Sequence, residues 1–166
     1  MDEIDYKILD LLQHDAATSV ADIADRVGLS PTPCWRRMQK LEQAGVITRR
    51  VALLNPELVG AGLTVFVSVE TGDHSADWLQ RFADGVAAMP EVVSLHRMAG
   101  DIDYLVQVVV HDMAAFDVFY KRLIAVAPLK NVTSRFAMER LKSTTAVPLH
   151  PAVFRDRRGF DEPNRA

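Results

Sequence analysis

The sequence predicts an α+β protein in two parts, an N-terminal winged helix-turn-helix followed by a ferredoxin-like βαββαβ sandwich. Three observations lead to that class. Two short amphipathic segments flank Gly28, and the second of them is basic. The rhythm of the chain changes after Gly60 and Gly62. Beyond that point, stretches of strand and helix character follow the order β-α-β-β-α-β. A chain of 166 residues has room for two small domains. The expected division is 1–61 for the first, 62–149 for the second and 150–166 for a tail.

The first helix is expected from about Asp2 to Gln13, with Ile4, Ile8, Leu11 and Leu12 as its packing face and Asp2, Glu3 and Asp10 outside. Next comes Thr18–Leu29, TSVADIADRVGL. Ser19 with Asp22 resembles a capping box, and Val20, Ile23, Ala24 and Val27 form a short apolar face. Ala24 is small where another helix would cross, and Gly28 supplies a turn. Ser30–Gly45, SPTPCWRRMQKLEQAG, is the third helix. Ser30 suits the N-cap, Pro31 and Pro33 suit the first turn, and Gly45 suits the stop.

On that third helix Cys34, Met38 and Leu41 make one apolar stripe. At about 100° per residue, Thr32, Arg36, Gln39, Lys40 and Gln43 fall on the opposite arc. That arc carries hydroxyl, amide and cationic groups and no acid, the chemistry that meets phosphates and base edges. Helix, glycine turn and basic second helix together read as a helix-turn-helix, whose second helix enters the major groove of double-stranded DNA. Val46–Leu54 (VITRRVALL) then reads as a short strand or wing that brings Arg49 and Arg50 to the backbone. The expected DNA contacts are Thr32, Pro33, Trp35, Arg36, Arg37, Gln39, Lys40, Arg49 and Arg50.

A net charge of −3 looks unsuited to DNA, but the charge is segregated. Residues 1–30 carry seven acids against Lys7 and Arg26, a net −5. Residues 31–50 carry Arg36, Arg37, Lys40, Arg49 and Arg50 against Glu42, a net +4. Screening over about 8–10 Å at physiological salt lets the local patch decide contact.

In the second half, Thr64–Glu70 alternates as a strand and Asp77–Met89 has helical spacing that ends at Pro90. Val92–Met98 and Asp103–Val110 are strands about an Ala99-Gly100-Asp101 turn. Asp112 can cap a helix carrying Phe116, Phe119, Tyr120 and Leu123, and Asn131–Leu141 is expected as a long last strand. Such a sandwich puts both helices on one sheet face. The other face also carries Val, Phe and Leu, so a second copy of the chain is expected to cover it. The tail with its Arg155–Arg158 run reads as a solvated end.

The turn Arg97–Tyr104, RMAGDIDY, is the one constellation suited to a small molecule. Asp101 and Asp103 could meet an α-ammonium group while amides beside Gly100 take a carboxylate. The plain alternative is a Gly-Asp hairpin. Catalytic and metal signals are lacking: His14, His74, His96, His111 and His150 are scattered, and no nucleophile elbow or phosphate loop is present. No enzyme activity, metal or cofactor is therefore expected. The single cysteine, Cys34, reads as a small buried hydrophobe. The acidic N-terminus has no signal pattern and no apolar run could span a bilayer, so a cytoplasmic protein with no membrane partner is expected.

SPTPCWRRMQKLEQAGVI followed by VALLNPELVG resembles the helix-turn-helix of the Lrp/AsnC (leucine-responsive/asparagine) family of bacterial transcription regulators. HRMAGDIDYLVQVVV and SRFAMERLKSTTAVPL resemble the regulatory half of the same family, and the likeness runs from Ile4 to about Leu149. It implies a sequence-specific regulator with an ACT-like sandwich that forms homo-dimers and often octamers. It also implies an amino-acid effector near Gly100, Asp101, Ile102, Asp103 and Tyr104. The rival readings are an architectural DNA-compacting protein and an amino-acid-binding domain that acts on an enzyme.

Overall fold

A computed structural model of the chain describes residues 1–149. The expectations for the tail, including Arg155–Arg158, lie outside the described residues. Two compact units emerge: Met1–Ala52 with residues 142–149, and Leu53–Leu141.

The first unit holds α1 (Glu3–His14), α2 (Val20–Val27) and α3 (Pro31–Gln43), each packed on the other two. Its core is Ile8, Leu9, Leu12, Ile23, Ala24, Cys34, Met38 and Leu41, so the stripe on α3 faces inward as its spacing requires. Burial holds the Cys34 thiol above its ordinary range, in keeping with a packing role. Gly28 takes φ +72, and Leu29 N–H closes on the Ala24 carbonyl at 2.8 Å, ending α2 with the tight turn a left-handed residue allows. Gly45 does the same for α3 at φ +70, with Val46 N–H on the Leu41 carbonyl at 2.9 Å. Residues 142–149 belong here as well. Val147 N–H donates to Gln13 Oε1 at 2.9 Å, and Leu149 packs on the three-helix core.

Two local expectations change. Ser30 occupies the N-cap position of α3 with an extended backbone, but its hydroxyl caps nothing. A capping side chain serves the second or third amide of the helix, and here the third residue is Pro33, which has no N–H. Val46–Leu54 forms no strand, and the only sheet of the described residues is built from other segments. A β-branched run needs paired backbone groups to become a strand, and composition cannot supply the partner.

The second unit contains β1 (Leu63–Glu70), α4 (Ala76–Ala87), β2 (Val92–Arg97), β3 (Tyr104–Val110), α5 (Met113–Val126) and β4 (Asn131–Phe136). The sheet order is β2-β3-β1-β4, antiparallel throughout, which is the ferredoxin-like arrangement predicted. Val65, Val67 and Val69 alternate with Val106, Val108 and Val110 of β3 toward α4 and α5, where Trp78, Phe82, Phe119 and Leu123 complete the core. Trp78 Nε1 donates to the Pro128 carbonyl at 3.0 Å and so ties α4 to the loop after α5. The last strand is shorter than expected. Val65 pairs with Phe136 and Ala137 N–H bonds the Thr64 carbonyl, so the register sets Met138 opposite Leu63, the first residue of β1, and residues from Glu139 on would lie past the start of β1.

The opposite sheet face is mixed. Phe66, Leu105 and Val109 share it with Gln107, Ser94 and Arg135, and Arg135 donates to the buried Ser68 Oγ at 2.6 Å. No element of the unit's described residues packs over Phe66, which stays 36% exposed.

Candidate functional site

The outward face of α3 is positioned by its own stripe. With Cys34, Met38 and Leu41 buried, Thr32, Arg36 and Lys40 must point to solvent, and all three are exposed. Pro33 is exposed beside them, and the Trp35 indole is 51% exposed. An aromatic ring of that size left in water on a cationic helix face is available for apolar contact with another molecule.

Gln39 and Arg50 are held by one carboxylate. Glu42 Oε2 accepts from Gln39 Nε2 at 3.0 Å, and Glu42 Oε1 accepts from Arg50 at 2.8 Å. Glu42 thus holds Arg50 against the end of α3 although no wing strand forms. The sequence reading did not single out Glu42; its place one turn from Gln39 was the available signal.

Arg37 is placed differently from its neighbours. Its Nη1 lies 2.7 Å from Asp2 Oδ2 and 2.8 Å from Asp5 Oδ1, at the start of α1. The remaining oxygens of those acids are also taken. Asp5 N–H donates to Asp2 Oδ1 at 3.0 Å, and Asp2 N–H donates to Asp5 Oδ2 at 2.8 Å. The Asp5 amide, followed by Arg37, holds the Asp2 carboxyl below its ordinary value, and the two acids raise the Arg37 guanidinium further.

In the second unit the Arg97–Tyr104 turn lies at one end of the sheet. Gly100 takes φ +133, and a Cβ there would meet nothing within 4 Å, so its backbone is open to approach. Asp101 is exposed and Ile102 half-buried. Asp103 is built into the fold. Its N–H donates to the Val69 carbonyl at 3.0 Å, its carbonyl accepts Met98 N–H at 2.8 Å, and its Oδ2 accepts Thr71 N–H at 2.8 Å. His74 Nδ1 stands 3.9 Å from the other carboxylate oxygen. The Tyr104 ring belongs to the core, 4.9 Å from Phe82 and 5.8 Å from Trp78 between ring centres, and is 5% exposed. Thr71 and the turn it forms were not visible from sequence, because Thr71 and Asp103 are 32 positions apart.

A basic recognition helix behind a glycine turn, with a ferredoxin-like unit after it, is a specific combination. Residues 64–147 match the Lrp/AsnC ligand binding domain, and residues 1–48 match a winged helix-turn-helix DNA-binding domain. The chain belongs to the Lrp/AsnC family. Like other Lrp/AsnC proteins, it is a DNA-binding transcription regulator.

Among its relatives, the DNA-binding transcriptional activator DecR of Escherichia coli is 49% identical over 150 residues, 90% of this chain and 99% of DecR. An AsnC family transcriptional regulator from Agrobacterium tumefaciens, solved as a crystal structure, aligns with TM-score 0.86 at 57% identity, covering 89% of this chain and 97% of that one. A transcriptional regulator from Neisseria meningitidis, crystallised in complex with L-Met, aligns with TM-score 0.85 at 37% identity, covering 89% and 96%. Among the described residues, no helix of the Lrp/AsnC fold seen here is long and apolar enough to cross a membrane.

Proposed function

We propose that this Lrp/AsnC protein reads a specific DNA sequence with α3 and changes its DNA affinity when an amino acid binds beside the Gly100 turn. The exposed, acid-free arc of Thr32, Arg36 and Lys40 is the observation that carries the first half. Arg36 suits a bidentate guanine contact, Lys40 a phosphate, and Trp35 and Pro33 apolar contact along the groove. Gln39 and Arg50 join this surface through Glu42, and the exposed Arg49 stands next to Arg50 in the chain.

The second half is supported by the L-Met complex of the Neisseria relative and by the openness of Gly100. With one Asp103 oxygen committed to Thr71, the exposed Asp101 is the freer partner for an ammonium group, and Asp103 offers its second oxygen. Ile102 borders the turn, and the buried Tyr104 supports it from the core side. In this reading the chain works in the cytoplasm, needs no metal or cofactor and performs no catalytic step. It assembles as a homo-dimer or a tetramer of dimers through the open sheet face around Phe66.

The test is a DNA titration with and without each of the twenty amino acids, with sedimentation alongside. One amino acid should shift the DNA affinity, and the free chain should sediment as a dimer or larger. Unchanged affinity with all of them refutes the sensing half, and a stable monomer at micromolar concentration refutes the assembly.

A further inference from the structure

We propose that Arg37 is a positioning residue for DNA recognition, acting on the surface of α3 through α1 and not by touching DNA. The proposal rests on the reading of α3 as the DNA-contacting helix. Arg37 lies about 60° from Cys34 around the helix, on the flank of the buried stripe and outside the arc of Arg36, Gln39 and Lys40. Its guanidinium closes a network in which all four oxygens of Asp2 and Asp5 have donors. The Asp5 side chain is 14% exposed and that of Arg37 32%.

Two adjacent carboxylates, one of them largely buried, need a cation between them. A phosphate that drew Arg37 away would leave those acids facing each other beside a third anion. The favourable arrangement keeps Arg37 on α1. By doing so it fixes the N-terminus of α1 to the middle of α3 and holds the rotation at which α3 presents Arg36 and Lys40.

The two roles open to Arg37 give opposite signs when Asp5 is neutralised. If Arg37 were a phosphate contact, neutralising Asp5 would release it and remove a repelling charge, and DNA binding would tighten. If Arg37 positions the helix, neutralising Asp5 loosens the clamp and binding weakens. A duplex is selected from a random pool by the wild-type protein. Affinities of Arg37→Ala, Asp5→Asn, the double variant and Lys40→Ala are then measured across a salt series, well below each melting temperature so that loss of folded protein does not register.

Arg37→Ala and Asp5→Asn should each weaken binding about three- to tenfold, and the double variant no more than Arg37→Ala alone. The salt slope of Arg37→Ala should match wild type, while that of Lys40→Ala falls by about one. Tighter binding by Asp5→Asn, unchanged affinity in both single variants, or a slope lowered by about one in Arg37→Ala overturns the proposal. Should Arg37→Ala melt below the assay temperature, the sign of the Asp5→Asn effect decides, because that variant keeps the shape of the carboxyl. A pool from which wild type enriches no duplex refutes the reading of α3 and the proposal with it, whereas enrichment with the wrong ranking of variants refutes the proposal alone.

Discussion

The carboxylate of Asp103 accepts the backbone N–H of Thr71 at 2.8 Å and joins the β2–β3 turn to the segment leading into α4. Thr71 is buried, so truncating Asp103 leaves an amide with no acceptor. Asp103→Ala is expected to lower the stability of the unit by about 1–3 kcal/mol in urea denaturation. Asp103→Asn keeps an acceptor in place and should lose much less. The same pair separates structure from sensing. A folded Asp103→Asn whose DNA affinity no longer responds to the effector places the carboxylate charge at the ligand, and a full response confines Asp103 to the hairpin.

Gly85 lies on α4 where it crosses α5, and a Cβ there would stand 2.6 Å from Val126 Cγ1. Alanine in mid-helix ordinarily gains about 1 kcal/mol over glycine. Here the clash should outweigh that gain, because a branched valine cannot swing its methyl aside freely, and overpacking costs about 1–3 kcal/mol. Gly85→Ala is therefore expected to unfold at lower urea than wild type. Adding Val126→Ala should recover part of the loss; a double variant weaker than the sum of the singles would show that the contact does not limit the crossing.

Arg36 and Lys40 should part company on different DNA. Arg36→Ala is expected to cost about 1–3 kcal/mol on a selected duplex and much less on random sequence, as a base-reading contact does. Lys40→Ala should weaken both alike and flatten the salt dependence. Equal losses on the two duplexes for Arg36→Ala would remove it from base readout.

The clamp at the start of α1 predicts an acid limb in the stability of the first unit. The Asp2 carboxyl is held below its ordinary value of 3.8, first by the Asp5 amide and then by Arg37. A folded-state value below the unfolded one adds stability above about pH 4, and that contribution is lost as pH falls through the folded value. The side chain is 53% exposed, so solvent screening keeps the effect small. Asp2→Asn should melt lower than wild type near neutral pH and converge with it toward about pH 2. Melting curves that stay equally spaced across that range would show that the Asp2 charge contributes nothing.

What the sequence determined by itself was whatever depends on neighbours a few positions away. The 3.6-residue period of Cys34, Met38 and Leu41 dictates which side of α3 is buried, and Gly28 and Gly45 end their helices because each lets the chain turn at positive φ. Alternation along β1 and β3 likewise selects the inner sheet face. The acid-free arc of α3 and the openness of Gly100 follow from the same local rules.

Tertiary structure alone decided which groups were already spoken for. Arg37 looks like its basic neighbours until Asp2 and Asp5 arrive from α1, 35 and 32 positions earlier. Asp103 looks free until Thr71 is brought to it, and Tyr104 until Trp78 and Phe82 close over its ring. The length of β4 was set by where β1 begins, and Val46–Leu54 has strand composition without a strand because no segment pairs with it among the described residues. Hydrogen bonds and ion pairs between distant segments depend on how the chain is brought together in space. Residue type states only what a group can bond, and the fold decides which partner reaches it first.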